Sequence, residues 1–125
     1  MPLEYLPIMA RNSAPKALRL AGQPPFVPRE DLSYRRVSSA PAAGEIVIDH
    51  HSGIGRVPKQ DPEIVFPRAA LAALAEQGIL GELSPWHFSF MGGLRQRKEI
   101  ENELAPAIAG ELAKEHVDLA LLVPY

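Results

Sequence analysis

No cysteine occurs in the 125 residues. Disulfides, a thiolate nucleophile and Cys-ligated zinc are therefore excluded within them. No apolar run approaches the ~18 residues that read as a membrane span. The N-terminus lacks a basic region followed by an apolar core, so no secretory signal is read there. A large charge of one sign is missing as well. The formal net charge of -2 gives no electrostatic reason to expect nucleic acid or an anionic membrane as partner. These absences together point to a cytoplasmic protein. The G-x-G-x-x-G pattern is absent, and so is any internal repeat. No carboxylate pair stands at catalytic spacing, and no Ser-His-Asp set is assignable.

What is present is ordinary in bulk and uneven along the chain. The apolar fraction of 46% and charged fraction of 22% suit one soluble globular domain. A domain of this length buries roughly two thirds of its unfolded surface, enough for a core without staples. The 13 prolines are about twice the average share and concentrate in residues 1–67. Residues 1–43 read as an irregular, Pro-rich N-terminal segment, and residues 44–125 as an α/β part.

Within the first segment, Ala14–Leu20 is expected as a short helix with Ser13 as N-cap. Ser33–Val37 alternates and reads as an edge strand. Glu45–Asp49 is a better strand, with three consecutive β-branched residues. Pro67–Gln77 is the clearest helix, with Gly78 at its left-handed C-terminal position and Leu71, Leu74 and Ala75 on one face. A second helix is expected over Gln96–His116, with Ile100, Leu104, Ile108 and Leu112 inward. Pro106 should kink or interrupt it near Asn102–Glu103. Asp118–Val123 is a nearly continuous apolar run, the signature of a strand covered on both faces. Helices alternating with apolar strands predict an α/β fold: a mostly parallel sheet with flanking helices and right-handed crossovers. The chain stops on a buried strand, so it reads as the incomplete half of a longer α/β protein.

Trp86–Leu94 concentrates distinctive residues: the only tryptophan, two phenylalanines, His87, Met91 and the pair Gly92-Gly93. It reads as a packed segment that brings backbone close to another part of the protein or to a ligand. Two readings of His87 stand: a core histidine satisfied by backbone, or a proton donor titrating near neutral pH. Gly92 and Gly93 allow φ > 0 or a close approach. His50 and His51 are neighbours at a strand end and point to opposite sides, a poor pair for a metal. No metal site is expected. The charges from Arg95 to Glu103 read as a solvated helix face.

Several segments, taken in order, carry a resemblance. They are Leu20-Ala21-Gly22-Gln23-Pro24-Pro25-Phe26, Leu32-Ser33-Tyr34-Arg35, Asp49-His50, Val65-Phe66-Pro67, Gly78-Ile79-Leu80-Gly81, Pro85–Gly93 and Val117–Pro124. Over residues 20–125 this set resembles the N-terminal part of the glycine/sarcosine/betaine/D-proline reductase selenoprotein B family, closest to the D-proline reductase type. The His-x-x-Phe-Met-Gly segment is its most specific piece. Two departures are visible. The family's apolar strand ahead of the first segment has no evident counterpart in Ser13–Leu18, and Ala70 stands where the family tends to have Arg.

The resemblance implies an oxidoreductase of amino-acid reduction, cleaving its substrate with dithiol as electron donor. It places a selenocysteine or cysteine redox motif directly after the strand resembling Leu119–Val123. The catalytic residue is then expected beyond Tyr125, with none in the chain. It also implies a partner subunit bearing a pyruvoyl group and a thiol electron donor. His50, His87, Met91, Gly92 and Gly93 are the substrate-pocket candidates. The expected function is that of the truncated N-terminal part of such a reductase, inactive alone. The alternative is a non-catalytic half domain that binds a partner subunit or small molecule.

Overall fold

The computed structural model describes residues 16–27, 30–40, 44–50 and 60–124, with only the backbone described at Lys16 and His50. The Pro-rich stretch 1–15, His51 and the loop to residue 59 lie outside the described residues. Among the described residues, four strands form two ladders. β1 (Lys16–Leu20) pairs with β3 (Ile46–His50), and β2 (Tyr34–Ser38) pairs with β4 (Trp86–Phe90). The helices are α1 (Arg68–Glu76), the single turn α2 (Arg97–Glu99) and α3 (Ala105–Lys114).

The mixed α/β content agrees with the sequence, but the expected mostly parallel sheet is corrected. Both ladders among the described residues are antiparallel, with Leu18 opposite Ile48 in one and Val37 opposite His87 in the other. Two further corrections explain why. Ala14–Leu20 was expected as a helix, yet residues 16–20 are a strand. Helix propensity is a weak prior, and pairing with Ile46–His50 overrides it while Ala17 and Leu18 become buried. Conversely, the apolar run after Asp118 forms no strand. Residues 119–124 belong to no helix and pair with no strand among the described residues, with Leu119 and Leu122 at 83% and 80% exposure. Apolar, β-prone sequence makes a segment able to pair, but pairing also needs a free edge within ladder distance.

The two sheets are joined through side chains. Leu18 and Leu20 of β1 have N–H groups that turn away from β3. Leu18 N–H donates to the buried Ser89 hydroxyl of β4 at 2.9 Å, and Leu20 N–H donates to Gln23 Oε1 at 2.8 Å. Gln23 then donates from Nε2 to the Arg36 carbonyl of β2 at 2.9 Å. The turn that aims Gln23 is closed by Gln23 N–H to Leu20 O at 3.1 Å and passes through Gly22 at φ 90°, a conformation glycine adopts without a Cβ penalty. These bonds satisfy backbone donors that would otherwise be orphaned. Ser89→Ala is expected to cost about 1–2 kcal/mol, because it leaves the Leu18 N–H buried and unpaired. Urea denaturation of the variant checks this, and an unchanged midpoint would contradict it.

The core fills the space these links enclose. Leu18, Val37, Ile46, Ile48, Val65 and Phe66 form one cluster, with Leu20 packed against it. Ala17, Phe26 and Met91 form a second, with Leu94 against it. The α1 C-terminus is closed as expected, with Gly78 at φ 71° and Ile79 N–H bonding to the Leu74 carbonyl at 3.0 Å. The predicted break near Asn102–Glu103 is a π-helical stretch, Ile100–Leu104, between α2 and α3. Pro106 has no N–H to give the Asn102 carbonyl and its ring crowds that carbonyl, so the wider turn relieves the conflict locally. Leu104 is buried at this point, while Ile108 and Leu112 are half-buried.

Candidate functional site

A groove of about 1350 Å³ runs beside β4. Its floor is β4 itself, from Trp86 to Phe90, with Val65, Phe66 and Pro67 at one end. One wall is Ile108 and Leu112 of α3, and the other rim is the irregular segment 117–124. His116, in the left-handed region at φ 53°, turns the chain out of α3 into that segment. Its N–H bonds to the Ala113 carbonyl at 3.1 Å and Val117 N–H to the Leu112 carbonyl at 3.1 Å, so the helix ends with its carbonyls satisfied. The groove is mostly apolar and open on one side, a form suited to a small apolar group or an extended segment.

β4 alternates, so its residues divide between two faces. His87 and Ser89 share one, and the buried Met91 continues it just past the strand. Trp86, Phe88 and Phe90 share the other. The His87 ring meets the Phe66 ring edge-on, with centroids 4.8 Å apart. The Arg68 guanidinium lies 5.4 Å from the centroid of the same Phe66 ring. Among the described residues, His87 Nε2 and Arg68 Nη1 are both out of solvent and have no hydrogen-bond partner. Burial pushes the His87 imidazole below its ordinary value of 6.5, and the nearby Arg68 charge pushes it the same way. Both effects favour the neutral imidazole.

A pH dependence follows from that shift. Between the lowered native value and 6.5, the unfolded chain binds a proton at His87 that the native chain does not. Stability from this group is fully present above the unfolded value and is lost as pH falls below it. Denaturation midpoints are expected to fall between pH 7 and pH 5, and the slope should flatten in His87→Gln. An equal slope in the variant would contradict the assignment.

The predicted pocket residues do not gather at one point. His87 and Gly92 line the groove. Met91 is buried at 2% exposure against Ala17 and Phe26, a core position. Gly93 sits at φ 70° where the chain leaves β4, which explains glycine there by backbone conformation. His50 ends β3 opposite Lys16, and its side chain lies outside the described residues. Among the described residues no group of three His, Asp or Glu is placed to hold a metal ion. The sequence reading missed Phe66 and Arg68 around His87, and Arg36 across the other face. Alternation at Trp86-His87-Phe88-Ser89-Phe90 was the available signal, because a strand there sorts these residues by face.

Arg36 of β2 lies opposite Phe88, and its guanidinium stacks on the Trp86 ring at 4.4 Å. It also faces Glu111 at 4.0 Å and Glu115 at 3.7 Å. Tyr34 packs edge-on against Phe88 at 5.8 Å. The two faces of this short strand thus differ: one is aromatic and capped by a cation, and the other carries the histidine.

The chain is 29% identical over 109 residues to the D-proline reductase subunit gamma of Acetoanaerobium sticklandii. This likeness supports a distant relationship to that subunit's family. The match takes in 87% of this chain and 42% of the relative, so the chain spans about two fifths of the curated protein it matches. No protein-family model matches the chain, and no solved structure does. Among the described residues, no helix is long and apolar enough to cross a membrane.

Proposed function

We propose that these residues are part of a reductase subunit of the selenoprotein B type, in which they shape one side of the substrate groove and supply no redox group. The likeness to D-proline reductase subunit gamma over 87% of the chain is the observation that carries this reading. The lack of cysteine agrees with it, since a selenolate or thiolate nucleophile then has to come from outside these residues. In the resembling family that residue follows the segment matching Leu119–Val123, which here rims the groove. His87 also lines the groove, and an imidazole can accept or return a proton. The pyruvoyl group and the dithiol electron donor belong to partners in this scheme. The chain's own part is to bind and orient the substrate between β4 and α3 and to limit water around it.

The test is dithiol-dependent conversion of D-proline to 5-aminovalerate. The isolated 125-residue chain is expected to give none. The assembly isolated from its source through a tag on this chain is expected to form product, and a tenfold or larger loss is expected for its His87→Ala form if the imidazole handles a proton, since such steps contribute about 10²–10⁴-fold. An assembly inactive toward D-proline and other amino acids would overturn the reading. A second reading, a non-catalytic domain that binds a partner, is favoured by one observation: Leu119, Leu121 and Leu122 are exposed together. Under that reading the captured partner carries no cysteine or selenocysteine pair near the contact.

A further inference from the structure

We infer that Arg36 is a salt-sensitive latch that holds α3 over the groove, so that the groove opens by movement of α3 away from β2 and β4. Three observations carry this. First, α3 has no buried residue of its own; its inner side chains Ile108 and Leu112 face the groove and are only half-buried. Its seat on the sheet is thus weak in apolar contact. Secondly, Arg36 spans the gap. Its guanidinium is stacked on Trp86 of the floor at 4.4 Å while facing Glu111 and Glu115 of the wall at 4.0 and 3.7 Å. One cation therefore ties the two sides of the groove together. Its anchor is firm, because the Arg36 carbonyl is held by Gln23 at 2.9 Å within the inter-sheet stitch.

Thirdly, the contacts are of a kind that releases easily. Neither carboxylate is within hydrogen-bond distance of Arg36, and Arg36 Nε has no hydrogen-bond partner among the described residues. Glu111 is also shared with Lys114, which holds it at 3.0 Å. The tie is then coulombic attraction plus the stacked ring, each weak at a partly exposed site. Such a contact is screened by salt, unlike the apolar contacts that hold the sheets. Hinges flank the moving part: the π-helical stretch Ile100–Leu104 before α3 and the left-handed His116 after it. That opening serves substrate entry rests on the groove being the reductase site; the latch itself does not.

Hydrogen exchange of α3 and acrylamide quenching of Trp86, the only tryptophan, test it without any substrate. The latch can therefore fail while the reductase reading stands, and the reverse. In the unmodified chain, α3 exchange is expected to rise about fivefold between low salt and about 1 M sodium chloride, where the screening length is about 3 Å. The double variant Glu111→Gln/Glu115→Gln should show the faster exchange and stronger quenching already at low salt, with no further salt response. Exchange in α1 should stay unchanged throughout. Both glutamates lie on the helix surface, and Arg36→Gln gives the same outcome from the opposite side of the contact. Equal α3 exchange in variant and unmodified chain at low salt overturns the latch. So does a rise shared equally by α1, which would mean general loosening.

Discussion

Phe66→Ala is expected to lower the stability of the domain by about 3–4 kcal/mol, the usual cost of emptying a buried aromatic site. Phe66 is 8% exposed and packs with Leu18, Val37, Ile46, Ile48 and Val65, so its loss opens the cluster where both sheets meet. That is a large share of the ~5–15 kcal/mol that holds a domain of this kind. The ring also forms part of the environment of His87, which it meets at 4.8 Å, and it lies against Arg68. Removing it lets water reach the imidazole and weakens the burial that lowers its protonation. Two changes should therefore appear together in urea titrations: a lower midpoint at pH 7, and a smaller further loss between pH 7 and pH 5. A lower midpoint with the pH slope intact would detach His87 from Phe66.

Asp49→Ala is expected to cost about 2–3 kcal/mol. Asp49 Oδ2 accepts from Arg19 Nε at 3.0 Å and from the Phe26 N–H at 3.4 Å. The two side chains of the pair are 15% and 17% exposed, so little water replaces the lost carboxylate. Breaking a fully buried pair costs about 3–5 kcal/mol through the charge left behind; residual exposure of Arg19, and its remaining bond to the Gln23 carbonyl at 2.9 Å, reduce that. Asp49→Asn keeps an acceptor and should cost less. The double variant Arg19→Met/Asp49→Leu should also cost less than Asp49→Ala, because no unpaired charge remains. Chemical denaturation of the three variants checks the order, and a double variant weaker than Asp49→Ala would contradict it.

The local signals in the sequence were sound where they described the chain's own backbone. Gly78 and Pro106 act through φ and a missing N–H, which need no tertiary partner, and both mark the observed helix end and break. Ile100, Leu104, Ile108 and Leu112 turn inward because their spacing matches the helical period. The strand at Lys16–Leu20 was not legible, because its pairing partner lies 30 residues on and propensity alone favours a helix there. The same limit misled in the opposite direction at Leu119–Val123, where composition promises a buried strand but the described residues offer it no ladder.

The candidate site was legible in part. His87 and Gly92 stand out in sequence because the segment around them is distinctive, and both line the groove. Met91 and Gly93 share that segment but serve packing and turn geometry. Arg36 escaped notice because its partners come from β4 and α3, far along the chain, and only the fold brings Trp86, Glu111 and Glu115 around it. Ser89 was unremarkable in sequence for the same reason: its value lies in the Leu18 N–H it accepts from.

The proposal that a redox residue outside these 125 completes the groove is tested most directly by the nucleotide sequence that follows the Tyr125 codon. The expected result is an in-frame cysteine codon, or a recoded selenocysteine codon, within a few positions, with a second cysteine close behind and a further α/β-patterned stretch after it. An ordinary terminator with no such coding frame downstream would contradict the proposal and leave the partner-binding reading of the exposed Leu119–Leu122 segment in its place.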